Sequence, residues 1–193
     1  RGVLAIRGAR EILVMFFCYC ALESTAMLWA SSYMVLGKGI DKTTAAMWGS
    51  LFCIGITVGR LASGFLTMRL SDPSMIRLGQ ALVLTGVSIM LLPLPHHIGT
   101  IAGLMVIGLG CAPIYPCVIH STPTYFGKDK SQAIVGMQMA FAYVGSMCMP
   151  PVFGLIAQHI SVNLFPWYLV AFLVLMVVMH ETLRKKCGGQ VTA

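Results

Sequence analysis

The sequence has 193 residues, of which 58% are hydrophobic and 10% charged, and its mean hydropathy is +0.85. A soluble domain carries about a quarter charged residues, so this composition indicates a membrane protein. The net charge of +7 does not point to nucleic acid, because the 13 lysines and arginines lie between apolar segments and form no continuous basic patch. Six of the seven cysteines lie inside apolar segments, where a thiol packs as a small hydrophobe, so no disulfide framework is predicted.

Six apolar segments, each long enough to cross a bilayer, follow one another along the chain. They cover about residues 11–36, 44–68, 74–95, 98–126, 131–159 and 163–183. The connections between them are short, which predicts that consecutive helices are antiparallel neighbours. The sequence therefore predicts an all-α polytopic membrane protein, with a six-helix domain over residues 1–184 and a cytoplasmic tail over 185–193. Because the first residue is Arg1 and not Met, we expect the sequence to be part of a longer chain.

The positive charges are distributed unevenly between the two ends of the predicted bundle. With six spans both termini lie at one end, which holds ten lysines and arginines, whereas the opposite end holds only Lys38 and Lys42. The ten are Arg1, Arg7, Arg10, Arg69, Arg77, Lys128, Lys130, Arg184, Lys185 and Lys186. The positive-inside rule then predicts a cell-membrane protein with both termini in the cytoplasm.

Glu23 is the only acidic residue near the centre of a predicted span. An ionised side chain at the bilayer centre costs about 3 kcal/mol on insertion scales, so Glu23 should face a wet cavity or a polar partner. At about 100° per residue, Tyr19 and Tyr33 share its helical face and Trp29 lies at the margin. We expect these four residues to contribute to solute binding or proton coupling. A purely structural role for Glu23, hydrogen-bonded to a neighbouring helix, is the alternative.

The second predicted span ends in the run GRLASGFLTMR. Its small residues Gly59 and Gly64 would let two helices approach closely, and its arginines, Arg60 and Arg69, can bind carboxylates, backbone carbonyls or lipid phosphates. The run resembles the cytoplasmic-loop signature of the major facilitator superfamily, which implies that these four residues belong to a gate. The signature usually has an aspartate where this chain has Met68, so the charge relay of that gate is not expected here.

The chain from about residue 11 to residue 184 resembles helices seven to twelve of that superfamily, in the branch of the fucose, galactose and glucose proton symporters. The residues that carry the resemblance are Tyr19, Glu23, Trp29, Tyr33, Gly59, Arg60, Leu61, Gly108, Leu109, Gly110, Pro113, Pro116, Gly136, Gly145, Pro150, Pro151 and Gly154. It implies a 3+3 inverted repeat and secondary transport of a small polar solute, a sugar, by proton symport with alternating access. It also implies a partner: the missing amino-terminal six-helix half, or a second copy of this chain.

Prolines lie inside the fourth and fifth predicted spans, at Pro113, Pro116, Pro150 and Pro151. Each proline removes a helical hydrogen bond and leaves a carbonyl to be satisfied in another way. A helix that lines a cavity supplies such partners more readily than a helix that faces lipid, so we assign both spans to the pore side. Static kinks and moving hinges are equally compatible with this pattern.

Three polar side chains in these two spans, Tyr115, His120 and Gln138, are predicted to share a cavity and to meet a polar solute. The 14 methionines show no repeated soft-ligand spacing, so they indicate core packing and no metal site. No cofactor is expected.

Other functions fit the sequence less well. A drug or metabolite efflux facilitator of the same superfamily is the main alternative. An intramembrane serine protease would place Ser63 in a Gly-x-Ser-Gly motif, but Leu61 stands where the first glycine should be, and His180 is poorly placed to pair with the serine. An ion channel would need a filter-like loop, and none lies between the spans. We therefore predict a transporter and no enzyme.

Overall fold

A computed structural model describes residues 2–188 of the chain and shows a bundle of long helices. The six α-helices are α1 (Ala9–Lys38), α2 (Lys42–Leu66), α3 (Asp72–Leu91), α4 (Ile98–Phe126), α5 (Lys128–His159) and α6 (Phe165–Cys187). Single turns of 3-10 helix precede α1, α4 and α6. All six α-helices are long and apolar enough to cross a membrane, so the prediction of an all-α six-span fold is confirmed.

The ends of the helices lie within four residues of the predicted span boundaries. The largest differences, four residues each, are at the end of α3, which stops at Leu91, and at the end of α6, which continues to Cys187. Residues 185–187 of the predicted tail are therefore helical. The basic residues in this last turn interact favourably with the partial negative charge at the end of the helix. The rest of the predicted tail, residues 189–193, and Arg1 lie outside the described residues.

Local sequence signals explain the tight connections. Helix α1 is closed by Gly39, whose φ of +69° is in the left-handed region that favours glycine. Two residues later the carboxylate of Asp41 accepts hydrogen bonds from the backbone N–H groups of Thr43 and Thr44 and so caps α2. Pro73 lies in the first turn of α3, where its missing N–H costs no helical bond. These short turns keep successive helices antiparallel.

Helices α1 and α4 form the centre of the bundle and are the most deeply buried of the six. Helix α1 packs mainly against α5 and α6, and α4 packs mainly against α2 and α3. Exchanging α1 with α4, α2 with α5 and α3 with α6 reproduces the same set of helix contacts. Because α1 and α4 cross the membrane in opposite directions, the two three-helix units form the inverted repeat that the resemblance implies.

The bundle has two dissimilar sides. On one side α3 and α6 contact each other, and we call this side the outer face. On the other side α2 and α5 flank the central helices, and the middle of α1 exposes Met27 and Leu28. We call this second side the open face. It leaves the central helices α1 and α4 partly uncovered.

Glycines allow α3 and α4 to pack backbone against backbone. The pairs Gly79 with Gly110 and Gly86 with Gly103 lie seven residues apart on each helix. A Cβ atom added at Gly86 would lie 2.8 Å from the Gly103 carbonyl oxygen, and one added at Gly103 would lie 2.6 Å from the Gly86 carbonyl oxygen. Side chains larger than hydrogen therefore do not fit at these contacts.

Candidate functional site

Glu23 lies at the midpoint of α1 and is half-buried. Its carboxylate is near enough to interact electrostatically with the Tyr19 hydroxyl and with Cys111 and Tyr115 of α4. Within residues 2–188 it forms no ion pair with a basic side chain. The structure therefore places this carboxylate beside the junction of the two central helices, with polar neighbours and without a counter-cation from the described part of the chain.

An aromatic cluster joins α1 to α4 next to Glu23. The ring centroid of Tyr115 lies 5.2 Å from that of Phe16 and 6.2 Å from that of Tyr19. The Tyr19 hydroxyl donates a hydrogen bond of 3.0 Å to the Cys111 carbonyl, and the Tyr115 hydroxyl contacts the Met139 sulfur of α5 at 3.6 Å. Tyr19 is buried and Tyr115 is only partly buried. The hydroxyl of Tyr115 is therefore the more accessible polar group of this cluster.

The two remaining aromatic residues predicted in the first span lie in helix interfaces. The Trp29 indole N–H donates to the Pro150 carbonyl at 3.0 Å, and its ring meets Phe153 edge-on. Tyr33 is 3% exposed and stacks on Phe165 with a centroid distance of 5.0 Å. In the structure their polar edges and rings hold α1 against α5 and α6, and a contribution of these two residues to solute binding stays a prediction.

Helices α4 and α5 continue through their prolines without a break. Near the pair Pro150 and Pro151, two carbonyls of α5 accept bonds from neighbouring helices: Trp29 donates to Pro150, and Tyr168 of α6 donates to Met149 at 2.8 Å. The carbonyls deprived of an N–H partner lie four residues before each proline, so these donors stabilise the segment beside the freed groups. The prolines are thus held in place by side chains of α1 and α6.

A cleft of about 720 Å³ opens between α2, α3 and α4 toward the end of the bundle that carries the termini. It is lined by Arg60, Ser63, Gly64, Thr67, Asp72, Tyr115, Pro116, Cys117 and His120. His120 is not deep in the membrane span: its side chain is 80% exposed, and its Nδ1 atom lies 2.6 Å from the Asp72 carboxylate. Tyr115 and His120 therefore share a cavity, as expected from the sequence.

Gln138 does not join that cavity, so the prediction of a shared site is wrong for this residue. Its side chain is fully buried, and its carbonyl oxygen accepts a hydrogen bond of 3.2 Å from the Thr122 hydroxyl of α4. Gln138 thus connects α4 to α5 inside the bundle. Helical periodicity predicted the span of this residue but not which neighbour covers it.

The residues of the loop signature separate into two groups. At Gly59 the expected close approach is present, because an added Cβ atom would lie 3.0 Å from the Leu109 carbonyl oxygen of α4. Around Gly64 no atom of the described chain would lie within 4 Å of an added Cβ atom, so close packing by this glycine is not seen. Arg60 lines the cleft and Arg69 is exposed in the turn after α2.

Asp72 lines the cleft although no sequence motif marks it as a site residue. Asp72 begins α3, and its carboxylate reaches His120 of α4 because the glycine contacts bring these helices together. One signal was present: in an antiparallel six-span bundle, the start of the third span and the end of the fourth lie at the same end. An acid and a histidine at these two positions were therefore candidates for a pair.

Six helices long and apolar enough to cross a membrane, in two inverted three-helix units, form an architecture that is found in the halves of membrane transporters. Residues 12–185 match the family profile of the Major Facilitator Superfamily, and this chain belongs to that superfamily. The family is one of transporters, which also excludes the intramembrane protease. Ser63 agrees with this, since its hydroxyl is bonded to the Arg60 carbonyl at 2.9 Å.

Two known proteins similar to this chain are transporters of the same superfamily. An uncharacterised MFS-type transporter from Yersinia pestis is 22% identical over 154 residues, which cover 79% of this chain and 40% of that protein. The crystal structure of the MFS transporter FucP in the outward conformation matches with a TM-score of 0.72 and 18% identity, over 94% of this chain and 43% of FucP. The likeness to FucP shows the fold. The chain spans about two fifths of the length of both proteins.

Proposed function

We propose that this chain forms one half of a secondary active transporter that moves a small polar solute, with a sugar as the solute and proton symport as the coupling. The observation that carries the proposal is Glu23 at the midpoint of α1, half-buried beside Tyr19 and Tyr115 and without a basic partner in residues 2–188. Hydroxyl and carboxylate groups at a membrane midplane suit the hydroxyl groups of a sugar. The sequence resemblance to sugar proton symporters supports the same class.

Glu23 is the proposed proton-coupling residue. An ionised carboxylate at the bilayer centre is costly, so this position suits a group that takes up and releases a proton during the transport cycle. In its protonated form it can donate a hydrogen bond to a solute hydroxyl, and in its ionised form it accepts one. Alternation between a wet and a closed cavity thus couples proton movement to solute movement.

The half-transporter proposal requires a second six-helix unit over the open face. Polar groups such as Glu23 and Tyr115 would otherwise meet hydrocarbon, where each unsatisfied group costs several kcal/mol. The superfamily relatives are more than twice as long as the matched region, which leaves room in those proteins for a second unit. We favour the amino-terminal half of a longer chain as this partner over a second copy of the present chain.

Solute uptake by the full-length protein, with a panel of radiolabelled sugars, tests the function and identifies the solute. Glu23→Gln keeps the shape of the side chain but cannot ionise, so it should lower pH-dependent uptake at least about tenfold while leaving the amount of folded protein unchanged. Glu11→Gln is the matched control, because Glu11 lies on the same helix near the terminal end and bonds to Lys186. Unchanged uptake by Glu23→Gln at all pH values would remove Glu23 from the mechanism.

The proposed orientation places both termini in the cytoplasm, because the basic residues are concentrated at that end of the bundle. The connection between α1 and α2 then faces outward. A cysteine at Asp41, which is exposed, should react with a membrane-impermeant thiol reagent on intact cells. Reaction only after permeabilisation would reverse the orientation.

The need for a second unit has its own test. The 193-residue chain, purified in mild detergent and reconstituted alone, is expected to show no saturable uptake of the solute identified above. Co-expression with the amino-terminal half of its parent should restore uptake. Saturable uptake by a lone monomer would contradict the proposal.

A further inference from the structure

The outer face carries a groove that the proposed transport mechanism does not use. A cavity of about 440 Å³ lies between α3 and α6, toward the end of the bundle that carries the termini. Its walls are mainly apolar, with Leu84 of α3 and Val174 and Val177 of α6 among them. Because α3 and α6 lie on the side away from the open face, this groove opens toward lipid.

One end of the groove is charged. Arg77 and Glu181 form a two-point ion pair there, with N–O distances of 2.9 and 2.8 Å. The donors of these bonds are Nε and Nη2 of the arginine, so the N–H groups of its Nη1 do not bond to Glu181. Arg184 lies three residues after Glu181 on α6, so the two side chains are neighbours on the same face of the helix. Two arginines and one glutamate leave this end of the groove with a net positive charge.

Two buried polar side chains beside the ion pair have unmet hydrogen-bonding capacity. Gln80 lines the groove with only 5% of its surface exposed, and its side-chain Nε2 has no hydrogen-bond partner in the described part of the chain. His180 is fully buried next to Glu181, and within residues 2–188 neither ring nitrogen makes a hydrogen bond. A buried amide donor without a partner, on a residue of the groove wall, would be satisfied by an acceptor from outside the chain that enters the groove.

We propose that this groove binds an anionic glycerophospholipid. One acyl chain lies along the apolar wall, which extends about 10 Å from Arg77 to Leu84 toward the bilayer centre. The lipid phosphate accepts hydrogen bonds from Nη1 of Arg77 and Nε2 of Gln80. The net positive charge favours an anionic headgroup over a zwitterionic one, as in other basic pockets between membrane helices.

Native mass spectrometry of the purified full-length protein tests this site. Dioleoylphosphatidylglycerol and dioleoylphosphatidylcholine are titrated separately. Both carry the phosphate, but only phosphatidylcholine carries a choline cation, so we expect the anionic lipid to bind about fivefold more tightly, as one excess basic residue near a lipid surface would give. Equal binding of the two lipids would overturn the proposal.

Variants of the groove distinguish a defined site from general lipid adhesion. Ala81 is an exposed residue of the groove wall, so Ala81→Trp should fill the groove and lower phosphatidylglycerol binding about tenfold. Ala171→Trp makes the same change at an exposed position of α6 that does not line the groove, and it should bind lipid as the unchanged protein does. Equal lipid binding by the two variants would refute the site.

The charged end is tested without leaving an unpaired charge. In the double variant Arg77→Gln with Glu181→Gln both members of the ion pair become neutral, so the fold does not have to accommodate a lone ion. Phosphatidylglycerol should then bind about tenfold more weakly, because its phosphate loses a charge-assisted hydrogen bond. The preference over phosphatidylcholine should remain, because Arg184 is unchanged and the net charge of this end stays the same. Unchanged affinity for phosphatidylglycerol would show that Arg77 does not hold the phosphate and would overturn the proposal.

Discussion

Replacing one glycine of the α3–α4 contact should destabilise the bundle by an amount that follows from the geometry. In Gly103→Ala the new Cβ atom would lie 2.6 Å from the Gly86 carbonyl oxygen and 3.0 Å from the backbone nitrogen of Met90. Both obstacles are backbone atoms, which cannot rotate away as a side chain can. The helices must therefore separate at this point.

The expected cost combines two opposing effects. Overpacking of this kind costs about 1–3 kcal/mol, and the upper half of that range applies because the obstacles are backbone atoms. Alanine in place of glycine recovers about 1 kcal/mol of helix propensity. The net loss in the free energy of unfolding should be about 1–2 kcal/mol, measured by reversible unfolding of the full-length protein in increasing amounts of SDS.

Gly136→Ala provides the matched control. Gly136 lies inside α5, and an added Cβ atom would meet no atom of the described chain within 4 Å. Only the propensity effect then remains, so this variant should be stabilised by up to about 1 kcal/mol. If Gly103→Ala is as stable as Gly136→Ala, the two central contacts of α3 and α4 are looser than the structure indicates and the reasoning fails.

Three further changes have expected outcomes in the same unfolding assay. Tyr19→Phe removes the buried bond to the Cys111 carbonyl and should cost about 0.5–1 kcal/mol, a loss that would be absent if the hydroxyl were bonded only to water. Asp72→Asn should lower the free energy of unfolding by less than about 0.5 kcal/mol, because the partner of Asp72, His120, is mostly exposed. A much larger loss would show that the pair is buried. Asp41→Ala removes the cap of α2 and should cost about 1 kcal/mol, whereas no loss would mean that water caps this helix equally well.

Hydropathy alone predicted the helices, because each helix crosses the membrane as one continuous apolar segment and its ends are local events. The faces of the helices were harder to predict. Tyr33 and Glu23 share a helical stripe, yet Tyr33 is buried against Phe165 of α6 while Glu23 lies beside Tyr115 of α4. Periodicity gives the direction in which a side chain points, but the covering helix depends on packing between distant segments.

The ion pairs depended even more strongly on that packing. Asp72 and His120 are 48 residues apart in the sequence, and Arg77 and Glu181 are 104 residues apart. Neither pair follows from any local pattern. Both require that α3 lie against α4 on one side and α6 on the other, and the glycine contacts that hold α3 against α4 are visible only in the structure. The antiparallel topology places Asp72 and His120 at the same end of the bundle, but the residues that pair across helices depend on which helices pack together there.

The helix contacts also bear on how the proposed transporter would move. Each central helix packs mainly against helices of the other three-helix unit: α1 against α5 and α6, and α4 against α2 and α3. Specific bonds strengthen these contacts, including the ion pair of Glu11 with Lys186 and the hydrogen bond from Trp29 to Pro150. The two repeats are thus interlocked, and separating them would break contacts of both central helices at once. A solute path that opens and closes is therefore expected between this six-helix unit and the unit that covers its open face, while the six helices move as one body.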